Sequence, residues 1–391
     1  MKFYLFNTGT CTRVRLFGED VRTLLKINGY CETKNPLEAD YIFVNTCSFL
    51  KSKSDYFLNF IKELNWKISS SQKIVIIGCL GGSHKFAINI INPNIIIFKR
   101  DIESIKEYFH FDKFPKAKSH IVGQQLSKKQ KIISLLNQYL LHSKHIDYRL
   151  KQDKVCYIQM SIGCQGTCSY CSEKFITKLK SHTLHEIIEA VYDGIDRGFT
   201  LFGLSSDDAS AYGKDIETSL DELLKELVKI NSDIYFNIPE FNPQGLSKTV
   251  MECLTDKKFL YITIPIQSGS QKILDKMQRP YQIKDVMRKV KNIKENNPDL
   301  MINTHIIVGF PGETDEDFNE TIKVLKTGLF DRVKVFKYSQ QPGTKAASFP
   351  DQISNLVKEE RYKKVLNVVR INNIKKHSLI NLILNTEQIK E

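Results

Sequence analysis

The sequence of 391 residues contains no apolar run that reaches the roughly 18 residues of a membrane-spanning helix. Its opening stretch, MKFYLFNTGT, lacks the basic start, the apolar segment and the small-residue cleavage site of a secretory signal. We therefore expect a cytoplasmic protein without membrane contact. The nine cysteines are an odd number. In a chain without an export signal they indicate metal binding or redox chemistry rather than a disulfide framework.

Acidic residues are the minority among the charges, since 57 Lys and Arg stand against 44 Asp and Glu, which gives a net charge of +13. This balance indicates a polyanionic partner such as nucleic acid, because phosphates attract Lys and Arg and release counterions. The alternative is a generally lysine-rich composition that carries no information about a partner. The length predicts two or three domains.

Four segments follow from the hydrophobic pattern. Residues 1–101 alternate apolar strands with amphipathic helices, which predicts a small Rossmann-like domain with a parallel sheet. Residues 102–152 are basic and irregular, which indicates a linker with one helix at 133–141. Residues 153–352 repeat strand and helix six times, which predicts a partial (β/α)6 barrel related to the TIM barrel. Residues 353–391 have a helical pattern and form a tail.

The densest group of thiols lies in GCQGTCSYC, where Cys164, Cys168 and Cys171 follow the first predicted barrel strand. Soft thiolates are the ligands of iron–sulfur clusters. Three of them leave one iron of a [4Fe–4S] cluster open to a small molecule. Barrel active sites lie at the carboxyl ends of the strands, which is where this loop begins. The alternative is a zinc knuckle that takes its fourth ligand from elsewhere.

Three further cysteines each follow a predicted strand of the first domain: Cys11, Cys47 and Cys79. The carboxyl ends of parallel strands meet at one edge of the sheet, so these thiols could share a site. The alternative is that they are ordinary buried thiols. The remaining cysteines are interpreted as ordinary thiols; they are Cys31, Cys156 and Cys253.

The pattern CxxxCxΦC, with Tyr170 as the aromatic residue Φ, resembles the signature of radical S-adenosylmethionine enzymes. The resemblance implies that the open iron binds S-adenosylmethionine and that an electron from the cluster cleaves its sulfonium. The resulting 5′-deoxyadenosyl radical would abstract a hydrogen from an unreactive C–H bond, with Tyr170 near the adenine.

The NTC and GC motifs around Cys47 and Cys79 extend the resemblance to the methylthiotransferases of that superfamily. There, three such cysteines hold a second [4Fe–4S] cluster that carries the inserted sulfur. The resemblance covers residues 3 to 370 and includes LSSDDASAYGKDI, IPIQSGSQKILDKMQRPY, IIVGFPGETDEDFNET and FKYSQQPGTKAA. It implies cofactor contacts from Asp207, Asp208, Gln267, Ser268, Gly309 and Pro311. For the two aspartates the alternative is a helix cap.

Some positions depart from the family pattern. Thr263 and Gln341 stand where His and Arg are common, and His305 stands where Asp is usual. A lone His is more often structural than catalytic. About 40 residues follow Pro350, and their pattern is helical, so we expect the family's terminal RNA-binding β-barrel to be missing.

Two substrate classes are therefore compatible with the sequence. The segment DDASAYGKD and the positive net charge favour a tRNA adenosine near the anticodon, as in the threonylcarbamoyladenosine branch of the family. The expected lack of the RNA-binding domain and the missing Arg favour a peptide or protein side chain, such as that of a ribosomal protein. A third alternative is an inactive iron–sulfur or RNA-binding protein. An active enzyme would need an electron donor such as flavodoxin or ferredoxin, and a sulfur source.

Overall fold

The structure is a computed structural model that describes residues 1–7, 10–114, 120–121, 155–172, 175 and 177–376. The helix predicted at 133–141 lies outside these residues. The chain divides into two compact units. The first unit comprises Met1–His120, Ser161–Lys180 and Ser339–Ala347, and the remaining described residues form the second. The domain boundaries proposed from the sequence stay a prediction.

The first unit is built on a parallel sheet of five strands in the order β2-β1-β3-β4-β5. This confirms the predicted Rossmann-like sheet. The run NIIIFKR predicts a strand over 94–100, but the strand there spans only two residues. The strands are β1 Lys2–Phe6, β2 Cys31–Glu32, β3 Tyr41–Thr46, β4 Lys73–Gly78 and β5 Ile96–Ile97.

Helices cover both faces of this sheet, because successive side chains of a strand point to opposite sides. Phe43 and Val75 pack in one apolar cluster with Phe17 and Leu24 of the first helix. Ile42, Val44 and Ile76 pack in another cluster with Phe57 and Ile61 of the second. The helices are α1 Thr12–Ile27, α2 Lys51–Lys67, α3 Cys79–Ser83, α4 Lys85–Ile91 and α5 Ile102–Tyr108.

The second unit contains six strands that follow one another in chain order across a sheet, and every adjacent pair among them is parallel. This order is that of the predicted partial barrel. The strands of this sheet are β7 Val155–Gln159, β10 Leu201–Ser205, β11 Tyr235–Ile238, β12 Phe259–Thr263, β13 Met301–Val308 and β14 Arg332–Lys337, with a short strand, β6 His120–Ile121, beside β7. Two further short strands, β8 Ser161–Ile162 of the first unit and β9 Lys180–Ser181, form a separate two-stranded sheet.

Local capping signals set the start of several helices in this unit. Thr183 and Thr314 each form a capping box with the acidic residue three positions later. The helices are α6 Leu184–Asp196, α7 Leu220–Lys229, α8 Lys248–Cys253, α9 Gln271–Lys276, α10 Ile283–Asn296, α11 Asp315–Lys326 and α12 Asn355–Lys376. Helix α12 confirms the predicted helical C-terminal region. Among the described residues, no helix has the length and apolarity to span a membrane.

Candidate functional site

The three single cysteines of the first unit lie at neighbouring strand and helix ends. Cys47 follows β3, Cys79 follows β4 as the first residue of α3, and Cys11 immediately precedes α1. Cys47 and Cys79 are each 4% exposed, whereas Cys11 borders solvent. The structure thus brings together the residues that the sequence placed at one edge of the sheet.

Asparagine and threonine side chains of the NTG and NTC motifs stabilise the conformation of this edge through hydrogen bonds. Asn45 Nδ2 donates to Asn7 Oδ1 at 2.7 Å and to the Val14 carbonyl at 2.6 Å. Thr46 Oγ1 donates to the Ile77 carbonyl at 2.7 Å and accepts from the Leu80 N–H at 3.2 Å. These bonds tie β3 to α1 and to the turn that carries Cys79.

Gly78 is required because the chain turns there in a conformation that other residues avoid. Its φ is +90°, and a Cβ at this position would lie 2.5 Å from the Thr46 carbonyl oxygen. Only glycine allows β3 and the β4–α3 turn to approach this closely. The glycine of the GC motif therefore sets the distance between the segments that carry Cys47 and Cys79.

The thiols in this group interact directly. The Cys11 and Cys47 side chains are hydrogen-bonded, and this bond lowers the pKa of Cys11 to about 5. Arg13 and the Val14 N–H lower the Cys11 pKa in the same direction, against the effect of desolvation. The same bond, burial and the nearby Cys79 raise the pKa of Cys47. One thiol of the pair is thus readily ionised, as a metal ligand must be.

The other three cysteines lie on a loop of the same unit. Cys164, Cys168 and Cys171 are all half-buried. Within the loop the Gly166 N–H donates to Cys164 Sγ at 3.1 Å, and the Cys171 N–H donates to the Cys168 carbonyl at 3.3 Å. Backbone N–H groups directed at sulfur are one of the means by which proteins tune iron–sulfur clusters.

Backbone contacts fix the start of this loop and one of its sides. Gly163 has a φ of +82°, and a Cβ there would clash with the Lys178 carbonyl. The Ala346 N–H donates to the Ser169 carbonyl at 2.9 Å. Tyr170 is half-buried between Ser169 and Cys171. The segment with the PGT element thus supports the loop from the side.

The described cysteines include two sets of three thiols, one on a loop and one at an edge of the sheet. Within the part of the chain that the structure describes, no group of three His, Cys, Asp or Glu side chains could hold a single metal ion. In a [4Fe–4S] cluster each thiolate binds its own iron, so the ligands of a cluster surround a larger volume than those of one ion.

The remaining predicted cofactor contacts lie in the second unit, at or just beyond strand ends. Asp207 and Asp208 follow β10. Asp208 Oδ1 accepts from the Ser210 N–H at 3.0 Å, from Ser210 Oγ at 2.7 Å and from the Asn242 N–H at 3.2 Å. Asp208 therefore caps the short 3-10 helix Ala209–Ala211, as the structural alternative anticipated.

Gln267 and Ser268 lie in the segment that follows β12. The Gln267 N–H donates to the His305 carbonyl, and its own carbonyl accepts from the Ile307 N–H, both at 2.9 Å. Gln267 has a φ of +64°, and its buried Oε1 has no partner among the described residues. Ser268 is fully buried, and its Oγ lies 3.3 Å from Thr321 Oγ1.

Gly309 and Pro311 lie in the GFPGE loop after β13. The Gly309 N–H donates to Glu313 Oε2 at 2.7 Å. Arg361 Nη1 of α12 donates to the same oxygen at 2.8 Å and to the Glu313 carbonyl at 2.9 Å. Burial raises the pKa of Glu313 to about 7, although Gly309 and Arg361 act to lower it. Sequence reasoning missed this pair, since nothing local connects residues 48 positions apart.

The three residues that depart from the family pattern each contact a neighbouring group. Gln341 Nε2 donates to the Phe49 carbonyl at 3.3 Å. Thr263 Oγ1 donates to Tyr261 Oη at 2.8 Å. The His305 ring meets the Phe336 ring edge-on, with centroids 5.5 Å apart.

Comparison with protein families gives two matches. Residues 158–325 match the model of the radical SAM superfamily, and residues 3–98 match that of the uncharacterized protein family UPF0004. A solved structure with the same fold is the radical S-adenosylmethionine methyltransferase TsrM from Kitasatospora setae, described with cobalamin and a [4Fe-4S] cluster bound. It aligns with a TM-score of 0.60 at 12% identity over 88% of this chain and 77% of its own, which shows the fold alone.

Two curated relatives are similar over nearly the whole chain. The ribosomal protein uS12 methylthiotransferase RimO of Dictyoglomus thermophilum is 30% identical, over 90% of this chain and 79% of its own. The probable threonylcarbamoyladenosine tRNA methylthiotransferase of Pyrococcus abyssi is also 30% identical, over 92% of this chain and 82% of its own. This chain is thus an enzyme that belongs to the radical S-adenosylmethionine methylthiotransferase family.

Proposed function

We propose that this methylthiotransferase inserts a methylthio group at a C–H carbon of a tRNA adenosine near the anticodon, with two [4Fe–4S] clusters and S-adenosylmethionine. The observation that carries the reaction is the presence of two separate sets of three thiols in one compact unit. The net charge of +13 and the similarity to the Pyrococcus relative support the choice of tRNA.

Each set of thiols has its own role in this proposal. Cys164, Cys168 and Cys171 hold the cluster that binds S-adenosylmethionine; Cys11, Cys47 and Cys79 hold the cluster associated with the sulfur. Together with bound S-adenosylmethionine, the first cluster supplies reductive sulfonium cleavage and hydrogen abstraction. The protein orients the ligands through the loops at its strand ends, among them Asp207, Gln267, Ser268, Gly309 and Pro311, with Tyr170 beside the adenine. An electron donor such as flavodoxin or ferredoxin and a sulfur source complete the requirements.

A protein side chain is the second candidate substrate. The observation in its favour is the similarity to enzymes named for ribosomal protein uS12, at 28% identity over 96% of this chain for the relative from Chlamydia felis. The chemistry at the carbon is the same for both candidates.

Iron analysis of anaerobically reconstituted protein tests the two clusters. We expect about eight irons and eight sulfides per chain, from two cubanes of four. Replacing Cys164, Cys168 and Cys171 by Ala halves the iron and abolishes 5′-deoxyadenosine formation. Replacing Cys11, Cys47 and Cys79 halves the iron but leaves S-adenosylmethionine cleavage intact. Replacing the exposed Cys31 is the matched control and changes neither quantity. Full iron content in the second triple variant would refute the second cluster.

Mass spectrometry of cells with and without the gene tests the substrate. A methylthio-adenosine that disappears from tRNA with the gene supports the first candidate. An unchanged nucleoside profile, combined with a methylthio mass loss from ribosomal protein uS12, supports the second and refutes the first.

A further inference from the structure

One face of the β13–β14 pair is directed away from the helix layer. Lys337 Nζ pairs with Glu359 of α12 at 2.8 Å and lies over the Tyr362 ring, so this side of β14 faces α12. Alternate residues of a strand point to opposite sides, and Lys334 and Phe336 therefore occupy the other face. His305 shares that face because it pairs in register with Lys334.

Three side chains on this face contact one another. The His305 ring meets the Phe336 ring edge-on at 5.5 Å between centroids. Lys334 Nζ lies 5.3 Å from the centroid of the same Phe336 ring. Lys334 is exposed, and among the described residues no carboxylate lies within salt-bridge distance of its ammonium group. The Phe336 ring thus contacts both the Lys334 ammonium group and the His305 imidazole, and it leaves the positive charge of Lys334 in place.

Buried amides with unused polar atoms extend the same face. Asn303 lies two residues before His305 and is 7% exposed, yet its Oδ1 has no partner among the described residues. Asn303 pairs with Thr263, and Asn237 pairs with Tyr261, two residues before Thr263. Asn237 is 1% exposed, and both polar atoms of its amide lack a partner in the described part of the chain. Unsatisfied buried polar groups are costly in a protein alone, which points to a ligand that completes them.

His305 and Lys334 each lie three residues before the carboxyl end of their strand. The His305 carbonyl accepts the Gln267 N–H at 2.9 Å, so His305 lies level with the IPIQSGS segment beyond the end of β12. Ligands of parallel sheets bind at the carboxyl ends of the strands, which this group of side chains approaches. Among the described strands β14 is the last of its sheet, so Lys334 lies on an edge strand.

We propose that Lys334, His305 and Phe336 form the anion-binding part of the substrate site, which holds a carboxylate or phosphate group of the substrate next to the carbon that is modified. Lys334 provides the charge, His305 provides an N–H donor, and Phe336 fixes the orientation of both. Asn303, two residues before His305 on the same face, hydrogen-bonds a neutral polar group beside that anion. This proposal rests on the proposed function for the existence of a modified carbon, but the binding of an anion can be tested without it.

The first test needs no acceptor substrate. Reconstituted enzyme is treated briefly with acetic anhydride, and acetylation of Lys334 and Lys337 is followed by peptide mass spectrometry. Inorganic phosphate or methylphosphonate represents a phosphate group, and propionate represents a carboxylate. We expect one of these anions to slow acetylation of Lys334 at least threefold and to leave Lys337, on the opposite face of the same strand, unchanged. The more protective anion identifies the source of the charge. Equal rates for Lys334 with and without every anion would overturn the proposal.

The second test uses methylthio transfer to whichever acceptor, tRNA or uS12, is shown to be the substrate. A charge-assisted hydrogen bond contributes about 1.5–3 kcal/mol, so Lys334→Met should raise the KM for the acceptor roughly ten- to hundredfold. Lys334→Arg should restore it to within about threefold. Lys337→Met is the matched control and leaves KM unchanged.

Acceptor-free formation of 5′-deoxyadenosine separates this site from the cofactor sites. It needs only the cluster and S-adenosylmethionine, so it is measured in each variant to show that the cluster is loaded. An unchanged acceptor KM in Lys334→Met would refute the proposal while leaving the methylthiotransferase function intact. Failure of both tRNA and uS12 as acceptors would refute the proposed function, and the acetylation result would still decide the anion site.

Discussion

The buried ion pair between Glu313 and Arg361 should control the stability of the GFPGE loop. Glu313 is 3% exposed and Arg361 is 5% exposed. Arg361 also donates from Nη2 to the exposed Asp315 at 2.9 Å. Removing one partner of a buried pair costs about 3–5 kcal/mol, because the other charge stays buried without a counter-ion. We therefore expect Arg361→Met to lower the free energy of unfolding by about 3 kcal/mol at pH 8.

The pH dependence of this loss follows from the pKa of Glu313, which burial raises from 4.5 to about 7. The folded state then binds the proton more tightly than the unfolded state. The contribution of Glu313 to stability is therefore greatest below pH 4.5 and falls as the pH rises to about 7, by about 3 kcal/mol. Arg361→Met removes two interactions that lower this pKa, so the carboxyl stays protonated to higher pH. The difference between variant and wild type should grow from pH 6 to pH 8.

Urea unfolding at pH 6 and pH 8 measures the effect. Glu313→Gln should flatten the pH dependence, and the double variant Arg361→Met, Glu313→Gln should be more stable at pH 8 than the sum of the single changes predicts. Lys363→Met, an exposed cation on the same helix, is the control. A loss below about 1 kcal/mol that is equal at both pH values would refute the assignment of a buried, ionised pair.

Further outcomes can be checked separately. Gly78→Ala forces a side chain into a φ of +90° and towards the Thr46 carbonyl, so it should cost at least about 1–3 kcal/mol in urea unfolding and reduce the iron bound by Cys11, Cys47 and Cys79. Asp208→Ala removes a cap and should cost about 1 kcal/mol with no change in the KM for S-adenosylmethionine, whereas Asp207→Ala should raise that KM. If Asp208→Ala instead raises this KM without altering unfolding, Asp208 binds the ligand rather than the backbone. Asn45→Ala removes two buried hydrogen bonds, to Asn7 and to the Val14 carbonyl, and should cost about 1–3 kcal/mol. An unfolding curve identical to that of the wild type would show that Asn45 does not tie α1 to β3.

Much of the fold follows from local sequence pattern. The apolar runs of β1, β3 and β4 were recognisable because strands buried on both faces read as continuous hydrophobic stretches. The segment GEDVRTLLKINGY predicts a helix from Gly18, but α1 begins at Thr12. Before Gly18, Arg13 and Arg15 alternate with the apolar Val14 and Leu16, and this alternation does not distinguish a helix from a strand. Helix ends are set by capping contacts, which local pattern identifies least well.

The sequence by itself predicts which thiols belong together as sets. Cys164, Cys168 and Cys171 are near each other in the chain, and Cys47 and Cys79 each follow a strand, so spacing and strand position suffice. Parallel pairing then carries thiols that are far apart in the chain to one edge of the sheet.

Only the tertiary structure decided which polar groups support or complete these sites. Asp208 looked equally suited to a ligand or a cap, and the contacts with Ser210 and Asn242 show that it caps a turn. Arg361 reaches Glu313 from a helix 48 residues further along the chain, and Lys334 meets His305 only through strand register. Such pairings depend on long-range packing, which brings together side chains whose positions in the chain are unrelated, and no local pattern encodes them.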